Sequence, residues 1–321
     1  MEQPGDMIVL GAGHYRLRER MATSAYGVLW RADGPATIGP VALKLINCEQ
    51  MAGAPAQQRE RWIASAQTEI NFLRSLAPWD QRHIVRLLDS GEQAGRPALA
   101  LELLDQDLKR YVAAEHTAGR TIPFTRTLGW IAQINQALAK VHQYGWRYLD
   151  LKPGNLLFDS RTGSVKLADF GTNRALADLH PHSYAGTPNW QAPEQVFAQG
   201  AEGYLTDART DYFALGALLY YLVTNGQPLR FCSSCAQAWR EHGQAAGKLL
   251  PMPAVLDADE EVRFAQAISI GHDLEAASRA LALLRALVAA RRENRPRHAI
   301  EISRMIAHIR DALHAGLRRA A

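Results

Sequence analysis

Asp150 and Asp169 stand nineteen residues apart, with Lys152 and Asn155 close behind the first and Lys44 and Glu69 far upstream. An ammonium on a rigid strand is a fixed cation for a phosphate-rich ligand, and a helix glutamate keeps it oriented. Asp169 closes the apolar run Val165-Lys166-Leu167-Ala168, which puts a carboxylate at a strand end where a divalent cation can take it. Asn155 offers a neutral oxygen for such a cation without adding charge. Singly, each has an ordinary explanation: Val41-Ala42-Leu43-Lys44 is a common run, Glu69 fits a solvated helix face, and the residues around Asp150 and Asp169 fit polar turns.

The elements that must hold these groups are legible in outline. Residues 15–46 show short apolar runs broken by Asp33-Gly34-Pro35 and Gly39-Pro40, which predicts antiparallel strands, one of them carrying Lys44. Residues 57–76 switch to a helical period with Ile63, Ile70, Leu73 and Leu76 on one side and Glu69 near them. Strands are expected at 84–88 and 98–103, with 91–96 as the turn between them. Beyond Glu102 the period is mostly helical, at 128–142, 212–223, 274–290 and 299–317, the last with Ile302, Ile306, Ile309, Leu313 and Leu317 on one face. Residues 225–259 read as an irregular segment suited to a family-specific insertion or docking surface. This is an α+β pattern, a small β-rich lobe with one main helix followed by a larger helical lobe.

Of the 321 residues, 47% are hydrophobic and 21% charged, an ordinary globular balance that argues against long disordered stretches. The formal charge of +4 is small and scattered, so no nucleic-acid partner is expected. Cys48, Cys232 and Cys235 are too few for a disulfide framework and suit a reducing compartment. Cys232-Ser-Ser-Cys235 has no second pair and no metal-spaced histidine, so a plain loop is favoured over a zinc or redox site. The start lacks a secretory pattern, and the longest apolar run, 212–223, is too short to span a bilayer. The expectation is a cytoplasmic protein without a membrane segment.

Taken in order, the segments resemble the signature set of the protein kinase family, over roughly residues 15–309. Tyr148-Leu149-Asp150-Leu151-Lys152-Pro153-Gly154-Asn155 resembles the kinase catalytic loop, Asp169-Phe170-Gly171 the metal-binding turn, and Gly186-Thr187-Pro188 through Ala192-Pro193-Glu194 the end of the activation segment. The resemblance implies a bilobal kinase fold filling the chain as one domain, with an N-lobe at 10–101, a C-lobe at 102–310 and a helical extension at 311–321. It implies ATP and Mg2+, with Mn2+ as a substitute, and a protein substrate with a Ser or Thr acceptor. Thr172, after Gly171, hints at threonine. Asp150 would accept or orient the hydroxyl proton, Lys152 steady the transferring phosphoryl, and Lys44 hold the phosphates; Asn155 and Asp169 would bind metal. Gly27, Leu29, Ala42, Glu102, Leu104 and Leu157 would line the nucleotide site with Lys44 and Glu69. Thr187 would bond towards Asp150 and Lys152, Glu194 would pair with Arg295, and Asp211 would brace the catalytic loop. A regulatory partner has room in this scheme.

Two departures stand out. Where a G-x-G-x-x-G run belongs, the chain has Ala22-Thr23-Ser24-Ala25-Tyr26-Gly27, and each lost glycine restricts the backbone by about 1 kcal/mol. Leu149 stands where most kinases place an arginine that senses a phosphorylated activation segment, so phosphate on Thr172, Ser183 or Tyr184 would lack its usual partner. Arg147 is not expected to replace it. Activity is therefore expected to be largely independent of such phosphorylation. The altered loop and Leu149 motivate the alternative, a catalytically silent nucleotide-binding scaffold. A small-molecule phosphotransferase would not be expected to keep the Gly186 to Glu194 platform.

Overall fold

A computed structural model describes residues 2–24, 27–180, 186–197 and 203–320, with the side chains of 244 and 317–320 outside the description. Leu317, Ser183 and Tyr184, and Ala25 and Tyr26 of the altered loop, therefore lie outside the described residues or side chains. The chain divides into two compact units, one of residues 1–105 with 167–173, the other of 106–166 with 174–321.

The first unit is built on a six-stranded antiparallel sheet. Its strands are β1 (Met7–Leu10), β2 (Gly13–Thr23), β3 (Gly27–Asp33), β4 (Pro40–Ile46), β5 (Leu87–Gln93) and β6 (Arg96–Glu102), in the order β1-β2-β3-β4-β6-β5. Alternation along β4 sends Val41, Leu43 and Leu45 into a core with Tyr15, Leu17 and Trp30, so Lys44 projects from the opposite face. There it meets α2 (Ala56–Ser75), which follows a short helix α1 (Cys48–Ala52).

Three local expectations need correction in this unit. Strand β5 begins at Leu87; Ile84 instead makes an isolated parallel bridge to Leu167. The turn is only Ala94-Gly95, both with positive φ, and Gly91 lies inside the strand opposite Ala98. A two-residue turn of this kind matches the right-handed twist of its strands, which lets pairing run to Gln93 and Arg96. On α2 the inward face is Trp62, Glu69, Ile70, Phe72 and Leu73, while Ile63 is 37% exposed. The sheet also gains β1, an N-terminal strand absent from the sequence reading.

The second unit is mostly helical, with short strands at its start. β7 (Gln106–Asp107) pairs with β9 (Leu156–Asp159), which pairs with β10 (Ser164–Leu167). β8 (Trp146–Arg147) pairs with β11 (Arg174–Ala175). The helices are α3 (Leu108–Thr117), α4 (Phe124–Gln143), α5 (Pro193–Val196), α6 (Ala208–Val223), α7 (Arg230–His242), α8 (Ala246–Leu249), α9 (Ala258–Ser269), α10 (Leu274–Leu287) and α11 (Ala299–Ala320). Helix α6 is buried nearly all round, and Gly216 lets α6 approach Leu287 and Val288 so closely that a Cβ would lie 2.6 Å from Val288. Asn135, on α4, donates to the Ala299 carbonyl at 2.9 Å and to Ser303 at 3.0 Å, tying α4 to the first turn of α11.

Residues 225–259 are not the irregular segment expected. Phe231, Cys232, Cys235, Ala236 and Ala238 form the buried face of α7, an amphipathic stripe that outweighs the flanking Gly and Pro. The Cys-Ser-Ser-Cys run is thus one helical turn and not a loop. Its thiols are free and buried; burial pushes Cys232 well up and Cys235 up to about 12. Ala312 and Leu313 of α11 are buried, so this helix runs without a break through the boundary expected at 311.

Candidate active site

In the first unit three charged side chains meet. Lys44 Nζ donates to Glu69 Oε2 at 2.6 Å and to Asp169 Oδ1 at 2.8 Å. Burial would lower the Lys44 pKa, but the carboxylates of Asp169 and Glu69 outweigh it and hold the ammonium above its ordinary value. Glu69 is only 1% exposed, and burial pushes its carboxyl up against the pull of Lys44. Asp169 differs, with a side chain 49% exposed. Its φ of 61° is left-handed, a conformation that aspartate tolerates better than most residues. Phe170 is fully buried against the Phe72 ring at 4.6 Å, which anchors the turn to α2.

Gly171 is needed for space and not for a permissive φ. A Cβ there would lie 2.2 Å from Ser65 Oγ, whose hydroxyl donates to the Gly171 carbonyl at 2.9 Å.

Around the lysine, β3 and β6 flank β4. Leu29 is opposite Lys44, and Ala42 is opposite Leu101. Glu102 is buried, accepting from the Arg86 backbone at 2.9 Å and side chain at 3.1 Å; Leu104 follows it in the irregular stretch after β6. Gly27 is packed so that a Cβ would approach the Leu45 carbonyl to 3.1 Å. Ser24, at a lost glycine position, closes the hairpin. Its Oγ accepts from Gly27 N at 3.1 Å, and Asn47 Nδ2 donates to its carbonyl at 2.8 Å.

In the second unit Asp150 is the centre. Its Oδ1 accepts from Thr187 Oγ1 at 2.6 Å, and its Oδ2 from Lys152 Nζ at 2.7 Å and Asn155 Nδ2 at 3.0 Å. Lys152 also donates to Thr187 Oγ1 at 2.6 Å. Asn155 gives a further bond to the Asp150 carbonyl at 2.9 Å, so its amide nitrogen faces Asp150 and its oxygen the other way. Leu157, on β9, is half-buried opposite Asp107.

The loop that carries Asp150 is held from behind. Asp211, in the first turn of α6, accepts from Tyr148 N at 2.8 Å, Leu149 N at 2.7 Å and His142 Nε2 at 2.8 Å. Gln195 Nε2 donates to the Leu149 carbonyl at 3.2 Å. Glu194 forms a two-pronged pair with Arg295, at 2.7 and 2.9 Å, and accepts from Thr210 at 2.9 Å. Arg147 is only 1% exposed, donating to the carbonyls of Thr206 and Asp178, each at 2.9 Å. Its engagement was not legible from residue types.

The second unit thus holds a carboxylate locked beside a lysine and a hydroxyl, and the first a fixed ammonium shared by two carboxylates. The chain belongs to the protein kinase domain family, whose profile matches residues 16–308. It is 32% identical over 215 residues to cyclin-dependent kinase B2-1 of Arabidopsis thaliana, covering 64% of each chain. Over 284 residues it is 28% identical to serine/threonine-protein kinase PknL of Mycobacterium bovis, 84% of this chain and 67% of that one. It is 29% identical to serine/threonine-protein kinase Pkn1 of Myxococcus xanthus over 71% of this chain and 31% of the relative. The chain thus spans between about a third and two thirds of the length of these curated relatives. Among the described residues no helix is long and apolar enough to cross a membrane.

Proposed function

We propose that this chain transfers the γ-phosphoryl group of ATP to Ser or Thr hydroxyls of a protein substrate, itself included, as a single catalytic domain acting in the cytoplasm. The observation that carries this reading is the Asp150 network. A nearly buried carboxylate, positioned by Lys152, Thr187 and Asn155, is a proton acceptor aimed in one direction. Asp150 would orient the incoming hydroxyl and take up its proton, while Lys152 would balance charge on the phosphoryl group in transit. Lys44, kept charged and directed by Glu69, would grip the phosphates. Gly27, Leu29, Ala42, Glu102, Leu104 and Leu157 would line the nucleotide.

The donor chemistry also suits a divalent cation. Asp169 has a half-exposed carboxylate and Asn155 an amide oxygen turned from Asp150, both hard oxygen donors, and magnesium takes few protein ligands beside water and phosphate. When bound, such an ion would draw charge from the terminal phosphates. Free thiols at all three cysteines agree with a reducing compartment.

Incubation of the full chain with γ-labelled ATP and Mg2+ or Mn2+, alone and with a generic basic protein, tests the reading. Phosphate should appear on Ser or Thr, Asp150→Asn should slow transfer by about 10²- to 10⁴-fold, and Asp169→Asn should abolish it. Nucleotide binding with no transfer under either metal would instead make the chain a scaffold.

A further inference from the structure

Helix α2 turns one stripe towards the segment that carries Asp169. Ser65, Glu69 and Phe72 recur at the i, i+4 and i+7 spacing that stacks side chains along one helix face. Each meets a different residue of the turn. Glu69 shares Lys44 with Asp169, Phe72 lies 4.6 Å from the Phe170 ring, and Ser65 Oγ donates to the Gly171 carbonyl at 2.9 Å. All of these residues belong to the first compact unit.

The turn needs firm support. Asp169 is left-handed at φ 61°, and such a conformation persists only where the surroundings over-determine it. Its ion pair with Lys44 is half-open to water, which weakens that hold. Beyond the glycine, Asn173 N bonds back to the Phe170 carbonyl at 3.2 Å, but the Asn173 side-chain amide is buried with neither atom partnered, so it steadies nothing. Ser65 supplies a bond to the backbone itself, two residues past Asp169.

Space couples the same pair. A Cβ on residue 171 would lie 2.2 Å from Ser65 Oγ, yet 3.3 and 3.4 Å from the Ser65 carbonyl oxygen and Cβ. A side chain at 171 would therefore have to turn the hydroxyl away and break its bond, whereas removing the hydroxyl removes the collision.

We propose that Ser65 is a positioning residue for Asp169: its hydroxyl pins the Gly171 carbonyl to the helix that carries Glu69, so Glu69, Lys44 and Asp169 are set in place together. What that set does rests on the kinase reading above; how it is held does not. Ser65 acts through Gly171 and not on the reacting atoms.

The full chain without ligand gives the first readout. Ser65→Ala should speed amide exchange at 170–173 by about 5- to 10-fold, the loss of one hydrogen bond, and Ser65→Thr, which keeps the hydroxyl, should not. With γ-labelled ATP, Ser65→Ala should raise the Mg2+ needed for half-maximal transfer by about 5- to 10-fold, and Ser65→Thr should rescue it to within about 2-fold. Gly171→Ala should show both defects. Ser65→Ala combined with Gly171→Ala should be no worse than Gly171→Ala alone, because the two changes break one bond. Additive losses in the double variant, equal losses in Ser65→Thr and Ser65→Ala, or unaltered exchange in Ser65→Ala would overturn the pin. If no form of the chain transfers phosphate, the kinase reading fails separately, and the exchange pattern of the four variants still decides the pin.

Discussion

Leu149 is a bulky residue in a left-handed conformation, φ 67°, where an L side chain costs about 1–2 kcal/mol. The strain persists because the flanking groups over-determine it: Asp211 grips its N–H, Gln195 its carbonyl, and Gly186 passes so close that a Cβ would lie 2.9 Å from that carbonyl. The backbone shape that presents Asp150 is thus set by neighbours, and the side chain at 149 is free to be apolar. The thiols obey the same local logic. Burial raises Cys232 and Cys235 and leaves Cys48 partly open, so the thiolate that reacts is scarce at the first two. Iodoacetamide should label Cys48 in the native protein, with Cys232 and Cys235 labelled only in denaturant and no gain at pH 8 or 9; peptide mapping reads the order. Native labelling of the helix α7 pair would contradict their burial.

Helices are joined to the site by buried polar contacts that leave no slack. Arg295 carries the strongest: it pairs with Glu194 through both nitrogens, bonds to the carbonyls of Ala289, Ala290 and Arg209, and lies 5.0 Å above the Phe213 ring. Removing one member strands the other in a dry interior. Arg295→Met should cost about 3–5 kcal/mol in urea unfolding, whereas Glu194→Gln combined with Arg295→Met should recover part of that loss. Additive losses in the double variant would show that packing, and not the stranded carboxylate, sets the cost.

For the molecule as a whole, ligand linkage is the accessible readout. A folded state that binds ATP with a divalent cation gains about 2.7 kcal/mol when the ligand stands at 100-fold over its Kd. Thermal melting should therefore rise with ATP and Mg2+ together, fall back with EDTA, and fail to rise in Asp169→Asn and Lys44→Met. A rise with ATP that EDTA leaves intact would mean nucleotide is held without the metal at Asp169. Truncation at residue 311 should also lower the melting temperature, since it removes the buried Ala312 and Leu313.

From residue order came the α+β plan; the pairing of Lys44 with Glu69, the contact of Thr187 with Asp150 and that of Glu194 with Arg295 came from the resemblance to the protein kinase signature set. The resemblance is legible because its motifs stand in a distinctive order. The Gly and Pro residues of 225–259 suggest irregular chain, but the 3–4 spacing of Phe231, Cys232 and Cys235 makes the stronger amphipathic helix. Other features had no signature to find. The partners of Arg147 are backbone carbonyls 31 and 59 residues away, and every residue type carries a carbonyl. At Gly171 the motif marks the residue but not its reason, the crowding by Ser65, 106 residues distant. Side-chain type announces which groups can react, but backbone acceptors and shared space become specific only when the chain is packed.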